Sequence, residues 1–416
     1  MTMNRVLRTV LMVTLSLALA VGMWGVMPAG IAEAAGIDFP LLEENFNYGT
    51  TAGNLTAVTT NWTVHSGTGI PPQYVTSNLS MAGYGSSGFG GAVTIDNANT
   101  PDVNRAFSTS TISDILYYAA LVNISTATTT GDYFLHMKDN GTYFRGRLFA
   151  KDESGVLRFG IAASGTAVYS TDSFSYNTTY LVVVKYDPST DDASLYVLTS
   201  YSATEPASPT AFSDGTFTTG NAQLAIALRQ STNIPDATID GIRVAKDWNT
   251  VVGQDTVTLS SLTAGNTYYF GDTLVAMALT SGDPGTVSVT KHSVPPGGDP
   301  ASTGEMPLQW NITATGSGFA LDLMLCYNDE ELGGLTEANL LAYRWDGTSW
   351  GTGMGTVNTV NNCVTVTGIT GFSKWALGTS QPTAVTFSGL SAASPFAALA
   401  VGLLAAAGLV VLRKRK

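Results

Sequence analysis

The run Thr179-Tyr180-Leu181-Val182-Val183-Val184-Lys185-Tyr186 is followed by Asp187-Pro188-Ser189-Thr190-Asp191-Asp192 and then by Ala193-Ser194-Leu195-Tyr196-Val197-Leu198. Two segments rich in Val, Tyr and Leu flank a stretch of turn chemistry, the pattern of two antiparallel strands joined by a hairpin. Outward from it the same punctuation recurs. Leu116 to Ser125, Tyr133 to Lys138, Tyr143 to Lys151 and Val156 to Ala162 read as strands, with Asn140-Gly141 and Glu153-Ser154-Gly155 as turns between them. A second set follows: Thr256 to Leu262, Thr267 to Phe270, Thr286 to Lys291, Leu321 to Tyr327, Leu340 to Trp345 and Val364 to Val366, with Asp346-Gly347 as a hairpin signal. Between the two ends of the chain no run of ten residues keeps a helical period, so the fold class is all-β.

The ends read differently. Arg5 and Arg8 precede an apolar run from about Val10 to Val26, and Ala32-Glu33-Ala34 supplies a small-residue cleavage site, the order of a secretory signal. An uncleaved signal anchor is the alternative, and both predict export. Phe396 to Leu412 is unbroken apolar sequence closed by Arg413-Lys414-Arg415-Lys416, which predicts a C-terminal transmembrane helix with a cytoplasmic basic tail. The expected organisation is a signal peptide over 1–35, a β-sandwich over 36–252, a second over 253–379 and a polar stalk over 380–395. The membrane helix then covers 396–412 and the tail 413–416. Pro295 to Pro300 is read as a loop.

Residues 36–412 carry 13 Lys and Arg against 30 Asp and Glu. A surface of that sign repels phosphate backbones and excludes nucleic acid as a partner. Cys326 and Cys363, the two cysteines of the chain, fall in an exported region and are disulfide candidates, with two buried free thiols as the alternative.

The first region resembles the concanavalin A-like lectin/glucanase family in its laminin G-like bacterial form. The likeness is carried by Leu42-Glu43-Glu44-Asn45-Phe46, Thr130-Gly131-Asp132-Tyr133-Phe134, Phe144-Arg145-Gly146-Arg147, Leu181 to Asp187, Ala227-Leu228-Arg229-Gln230 and Ile239-Asp240-Gly241-Ile242-Arg243-Val244. It implies a jelly roll of two antiparallel sheets. The second region is similar to a small β-sandwich module of bacterial surface proteins, through Tyr269-Phe270-Gly271-Asp272, Val287 to Lys291, Trp310-Asn311-Ile312, Tyr343 to Gly347 and Phe372 to Gly378. The tail resembles a tripartite sorting signal in layout, with Ser394-Pro395 before the helix and without an LPxTG-type motif.

Glucanases of this fold cleave with carboxylates spaced Glu-x-Asp-x-x-Glu on one strand, a spacing this chain lacks. Glu43-Glu44, Asp152-Glu153 and Asp329-Glu330-Glu331 are adjacent acids that point to opposite faces of a strand, and they are read as solvated charges. His65, His136 and His292 have no metal-ligand spacing, and no Gly-x-Ser-x-Gly elbow is present. The expectation is a non-catalytic protein.

The resemblance implies calcium as the one cofactor to consider, with Asp240, Asp139, Asp187 and Asp192 as candidate ligands and a plain hairpin turn as the other reading of Asp187 to Asp192. For a carbohydrate ligand, aromatic platforms and a few polar groups are needed, and Trp62, Tyr74, Tyr84, Tyr143 and Arg145 are the candidates, each with core packing as its alternative. The expected function is a membrane-anchored envelope protein that binds an extracellular glycan, with a structural or self-associating spacer as the alternative.

Overall fold

A computed structural model describes residues 40–293, 304–332 and 334–380. The expected leader, stalk, apolar segment, basic tail and Pro295 to Pro300 loop lie outside the described residues. Among the described residues no helix is long and apolar enough to cross a membrane.

The chain is all-β, built from four antiparallel sheets that pack in two pairs. A nine-stranded sheet runs Ala211–Ser213, Asp192–Leu198, Thr179–Asp187, Leu116–Thr126, Asp236–Ala245, Ala92–Ile95, Gln73–Val75, Gly53–Asn54, with Leu42–Glu44 also on Asp236–Ala245. A seven-stranded sheet runs Val168–Tyr169, Val156–Ala162, Phe144–Glu153, Asp132–Lys138, Ala225–Leu228, Asp102–Ala106, Thr63–Ser66. Tyr118, Ala120, Val122, Val182, Val184, Phe134, Met137 and Phe159 fill the core between them.

The decisive hairpin forms with Tyr186 opposite Ala193 and Leu181 opposite Leu198. Its neighbour Leu116–Thr126 is apolar almost throughout because both its faces are covered. Tyr118 and Ala120 face the core, whereas Tyr117, Ala119 and Leu121 pack under the short helix Trp248–Val252 and the loop at Tyr84. Asp247 caps that helix by accepting from the Thr250 amide at 2.9 Å. The seven-stranded sheet, by contrast, turns a row of half-buried side chains to solvent.

The smaller sandwich pairs two five-stranded sheets. One runs Thr256–Leu259, Val287–Ser293, Glu305–Ala314, Lys374–Gly378, Leu341–Arg344, and the other Thr267–Tyr269, Val275–Ser281, Ala320–Cys326, Cys363–Ile369, Thr356–Asn358. Trp310, Trp375, Phe270, Met277 and Leu323 are in its core. Cys326 and Cys363 lie directly opposite each other in the ladder and are joined by a disulfide.

The two sandwiches form one compact unit. Phe89 leaves the first and completes the core of the second. Beside it, Arg243 reaches Asp272 at 2.6 Å and Glu43 at 3.2 Å, and the fully buried Lys291 ammonium stands 3.6 Å from Glu43 and 5.0 Å over the Phe89 ring.

This overturns the reading of Glu43-Glu44 as solvated. The two side chains do point to opposite faces, but both faces are buried. Glu43 meets Arg243 and Lys291, while Glu44 pairs with Arg105 and accepts from Trp62 Nε1 at 2.7 Å, Tyr48 Oη at 2.5 Å and the Phe46 amide at 2.7 Å. Burial pushes the Glu43 carboxyl up, yet Lys291, Arg243 and hydrogen bonds from Asn45 and Ser86 outweigh it and hold it at about 2. Glu331 is also buried rather than solvated. Desolvation is the larger effect there, only partly offset by Lys291 and reinforced by Glu43, and its carboxyl is pushed up to about 7.

Candidate functional site

Three of the five expected sugar-binding residues are core residues. Trp62, Tyr74 and Tyr84 are each at most 1 % exposed. Trp62 stacks on Phe46 and donates to Glu44, Tyr74 donates to the Gly49 carbonyl, and Tyr84 donates to the Gly241 carbonyl. None has a ring face to offer a ligand. Tyr143 is exposed and Arg145 lies beside it, 5.4 Å from its ring centroid, but the guanidinium is already committed. It ion-pairs with Asp191 at 3.3 Å and donates to Asn221, the Thr219 carbonyl and the Phe144 carbonyl. Asp191, read in the sequence as part of the Asp187 to Asp192 turn, organises this corner: it is 1 % exposed and accepts from Tyr186 Oη and the Phe217 amide.

The candidate calcium ligands are not brought together. Asp240 is buried and accepts from the Leu79 and Gly241 amides, with desolvation raising its carboxyl well above the ordinary range. Asp139 accepts from the Gly141 and Tyr143 amides, and Asp187 from the Ser189 amide and hydroxyl, so both close turns. Asp192 faces Asp187 at the base of its hairpin. Among the described residues no group of three or more His, Cys, Asp or Glu side chains gathers to hold a metal.

The arrangement best suited to a ligand is the outer face of the seven-stranded sheet. Strand alternation puts Tyr133 and His136 outward from Asp132–Lys138, and Phe144, Arg147, Phe149 and Lys151 outward from Phe144–Glu153. Two irregularities in register make this possible: one between Tyr133 and Leu135, the other between Leu135 and Met137. Gly146 lies at the second, with φ +54°, so that Arg145 turns to Asp191 while Phe144 and Arg147 both stay on the outer face.

Ring contacts run continuously across the strands. His65 to Phe144 is 6.3 Å between centroids, Phe144 to His136 4.7 Å, His136 to Tyr133 5.2 Å, Tyr133 to Phe149 5.5 Å and Phe149 to Tyr169 6.3 Å. Tyr169 lies across Gly160, where a Cβ would sit 2.7 Å from its ring, so the glycine lets the last ring join the row.

Polar groups flank these rings. Arg147 and Arg229 stand 5.1 and 4.2 Å from the Tyr133 centroid, and Lys151 stands 4.6 Å from that of Tyr169. Arg147 donates to the Ser164 and Gly165 carbonyls, which leaves its buried Nε without a partner. Arg229 pairs with Asp132 at 2.5 Å.

His136 forms the floor beneath Phe144 and Tyr133 and is fully buried. Its Nδ1 lies 3.1 Å from the Met137 carbonyl, which can only accept, so Nδ1 carries the proton and the unpartnered Nε2 is an acceptor. Desolvation, opposed by the Met137 hydrogen bond and aided by the charges of Arg229 and Arg147, holds His136 down to about 3 and keeps it neutral at physiological pH. His65 is held to about 4, first by desolvation and then by Lys138.

Most of these positions are visible in the sequence, but their relation is not. Tyr133, Phe144, Arg147 and Arg229 stood within segments that marked a fold, and period-2 alternation would have put Arg147, Phe149 and Lys151 on one face.

No family model matches the chain, and no curated protein matches it. Solved structures similar to it include a heptameric SAP-like pentraxin from Limulus polyphemus, at 12 % identity over 42 % of this chain and 78 % of that one, with a TM-score of 0.28. A galectin from Caenorhabditis elegans is similar at 10 % identity over 34 % of this chain and 89 % of that one, TM-score 0.24. The metal-free exoplasmic/lumenal domain of VIP36 is similar at 7 % identity over 50 % of this chain and 94 % of that one, TM-score 0.29.

Proposed function

We propose that this chain is an exported, membrane-anchored, non-catalytic envelope protein whose larger sandwich binds an extracellular carbohydrate on the outer face of its seven-stranded sheet. The observation that carries the reading is the row of Phe144, Tyr133, Phe149 and Tyr169 rings edged by Arg147, Arg229 and Lys151. Half-buried rings present apolar faces to the C–H side of a pyranose, and fixed donors beside them meet its hydroxyls. Arg5, Arg8 and Ala32-Glu33-Ala34 support export, and Phe396 to Leu412 with the basic tail supports anchoring.

Calorimetric titration of the protein against a panel of oligosaccharides, with calcium and with chelator, tests the reading. Saturable heat that is lost in Tyr133→Ala and Phe149→Ala supports it. Heat unchanged in both variants moves the site elsewhere. Silence across the panel favours the spacer, a reading that the buried charges joining the two sandwiches support, since they tie the pair together.

A further inference from the structure

We infer that the ligand of this face is an acidic sugar, one that carries a carboxylate or a sulfate on its ring. The inference rests on the carbohydrate-binding reading above and narrows it. Residues 36–412 hold 30 acids against 13 bases, yet the middle of this face reverses the balance. Arg147 and Arg229 both stand against the Tyr133 ring, and Lys151 covers Tyr169. Asp132 is the acid paired within this group, by way of Arg229, and the partner of Lys151 is Glu153 at the solvent-exposed end of its strand.

The field is felt locally: Arg229 and Arg147 add to the desolvation that keeps His136 unprotonated, and the charge on Arg147 is disfavoured first by desolvation and then by Arg145 and Arg229, with Tyr133 and Asp132 opposing. Cations held close together repel one another, a cost that Asp132 and Glu153 offset in part and that an incoming anion relieves further. The two half-buried guanidiniums also desolvate with little reorganisation, because their planes already lie near a ring. A neutral sugar gains the ring contacts and hydrogen bonds to its hydroxyls, whereas an acidic one places an anion against the same donors and makes the stronger, charge-assisted bonds.

The test compares three hexasaccharides on the full protein by calorimetry at low and moderate salt: a polyuronate, a sulfated glycan and a neutral glucan. A polyglutamate peptide of equal charge serves as the control. The expected result is at least roughly tenfold tighter binding of one acidic sugar than of the glucan, with the uronate and sulfate arms identifying which anion is read. Arg147→Gln and Lys151→Gln are expected to remove most of that preference, weakening the acidic sugar far more than the glucan, which loses only a hydrogen bond to a hydroxyl. Lys151→Gln removes a surface ion pair and the cation over the Tyr169 ring, touches no core residue, and so guards against a folding artefact. Glucan bound as tightly as the acidic sugars would overturn the acidic class while leaving the carbohydrate reading intact. Polyglutamate bound as well as the sugars, or a preference untouched in both variants, would overturn the assignment to this face. No binding by any of the three sugars would overturn the inference together with the reading it rests on.

Discussion

Glu44 and His136 show what a buried polar side chain demands of its surroundings. Four donors converge on Glu44, one of them the guanidinium of Arg105. Glu44→Gln keeps the shape but removes the charge with which Arg105 pairs, and the expected cost is about 3–5 kcal/mol in chemical denaturation. A loss below about 1 kcal/mol would mean that Arg105 finds water instead. His136, held at about 3, is expected to show flat imidazole NMR shifts from pH 8 to pH 5. A midpoint near 6.5 would mean that solvent reaches the ring through the Phe144 and Tyr133 rings. The sign for stability follows. The unfolded chain protonates this histidine below its ordinary value and the folded one refuses the proton, so its contribution weakens as pH falls from 6.5 toward 3. The sequence showed that Glu43 and Glu44 face opposite ways, but not that each face meets a cation. Arg105 and Arg243 are brought to them only by sheet pairing.

At the level of elements, the decisive hairpin, the strands around it and the strand-to-turn rhythm were legible because β-branched and aromatic runs alternate with Gly, Asn and Asp. Val156–Ala162 was readable to its ends. Val275–Ser281 was not, since its Ala, Met and Leu carry little strand preference and pair only because both neighbours bury them. Asp102–Ala106 was hidden by Pro101 and Asn104, which read as a turn. The register irregularities beside Gly146 were likewise illegible, and with them the shared face of Phe144 and Arg147. The disulfide carries its own prediction. Replacing Cys326 and Cys363 together by Ser is expected to cost ~3–4 kcal/mol in the chain-entropy view. The loss should be visible as a lower Tm that reducing agent reproduces in the parent protein and does not deepen in the variant.

For the molecule as a whole, the charges between the sandwiches make stability depend on pH. Glu331 has a folded value of about 7 against an ordinary 4.5, so between those two the folded state keeps a proton that the unfolded chain has lost. Its contribution therefore falls as pH rises from about 4.5 to about 7, by up to roughly 3 kcal/mol. Glu43, held at about 2, works in the opposite sense and weakens the fold as pH drops from 4.5 toward 2. Glu331→Gln is expected to raise stability at pH 8 and leave it nearly unchanged at pH 5. Equal effects at both values would show that the carboxyl is ionised in the fold throughout. Two strand-rich regions were legible in the sequence, whereas their contact was not, because it consists of single residues, Phe89, Arg243, Asp272 and Lys291, each unremarkable where it stands.

Lys291 gives that contact a history. Its ammonium, without a hydrogen-bond partner inside its own sandwich, is neutralised by a carboxylate of the other. A copy of the smaller module moved by recombination onto a foreign neighbour would lose the Glu43 carboxylate from beside Lys291, leaving Glu331 as the acid coupled to it, and would carry a hole where Phe89 had been. The two halves are therefore expected to be inherited as a pair, and any relative that bears the second module alone is expected to have exchanged Lys291 for an uncharged residue.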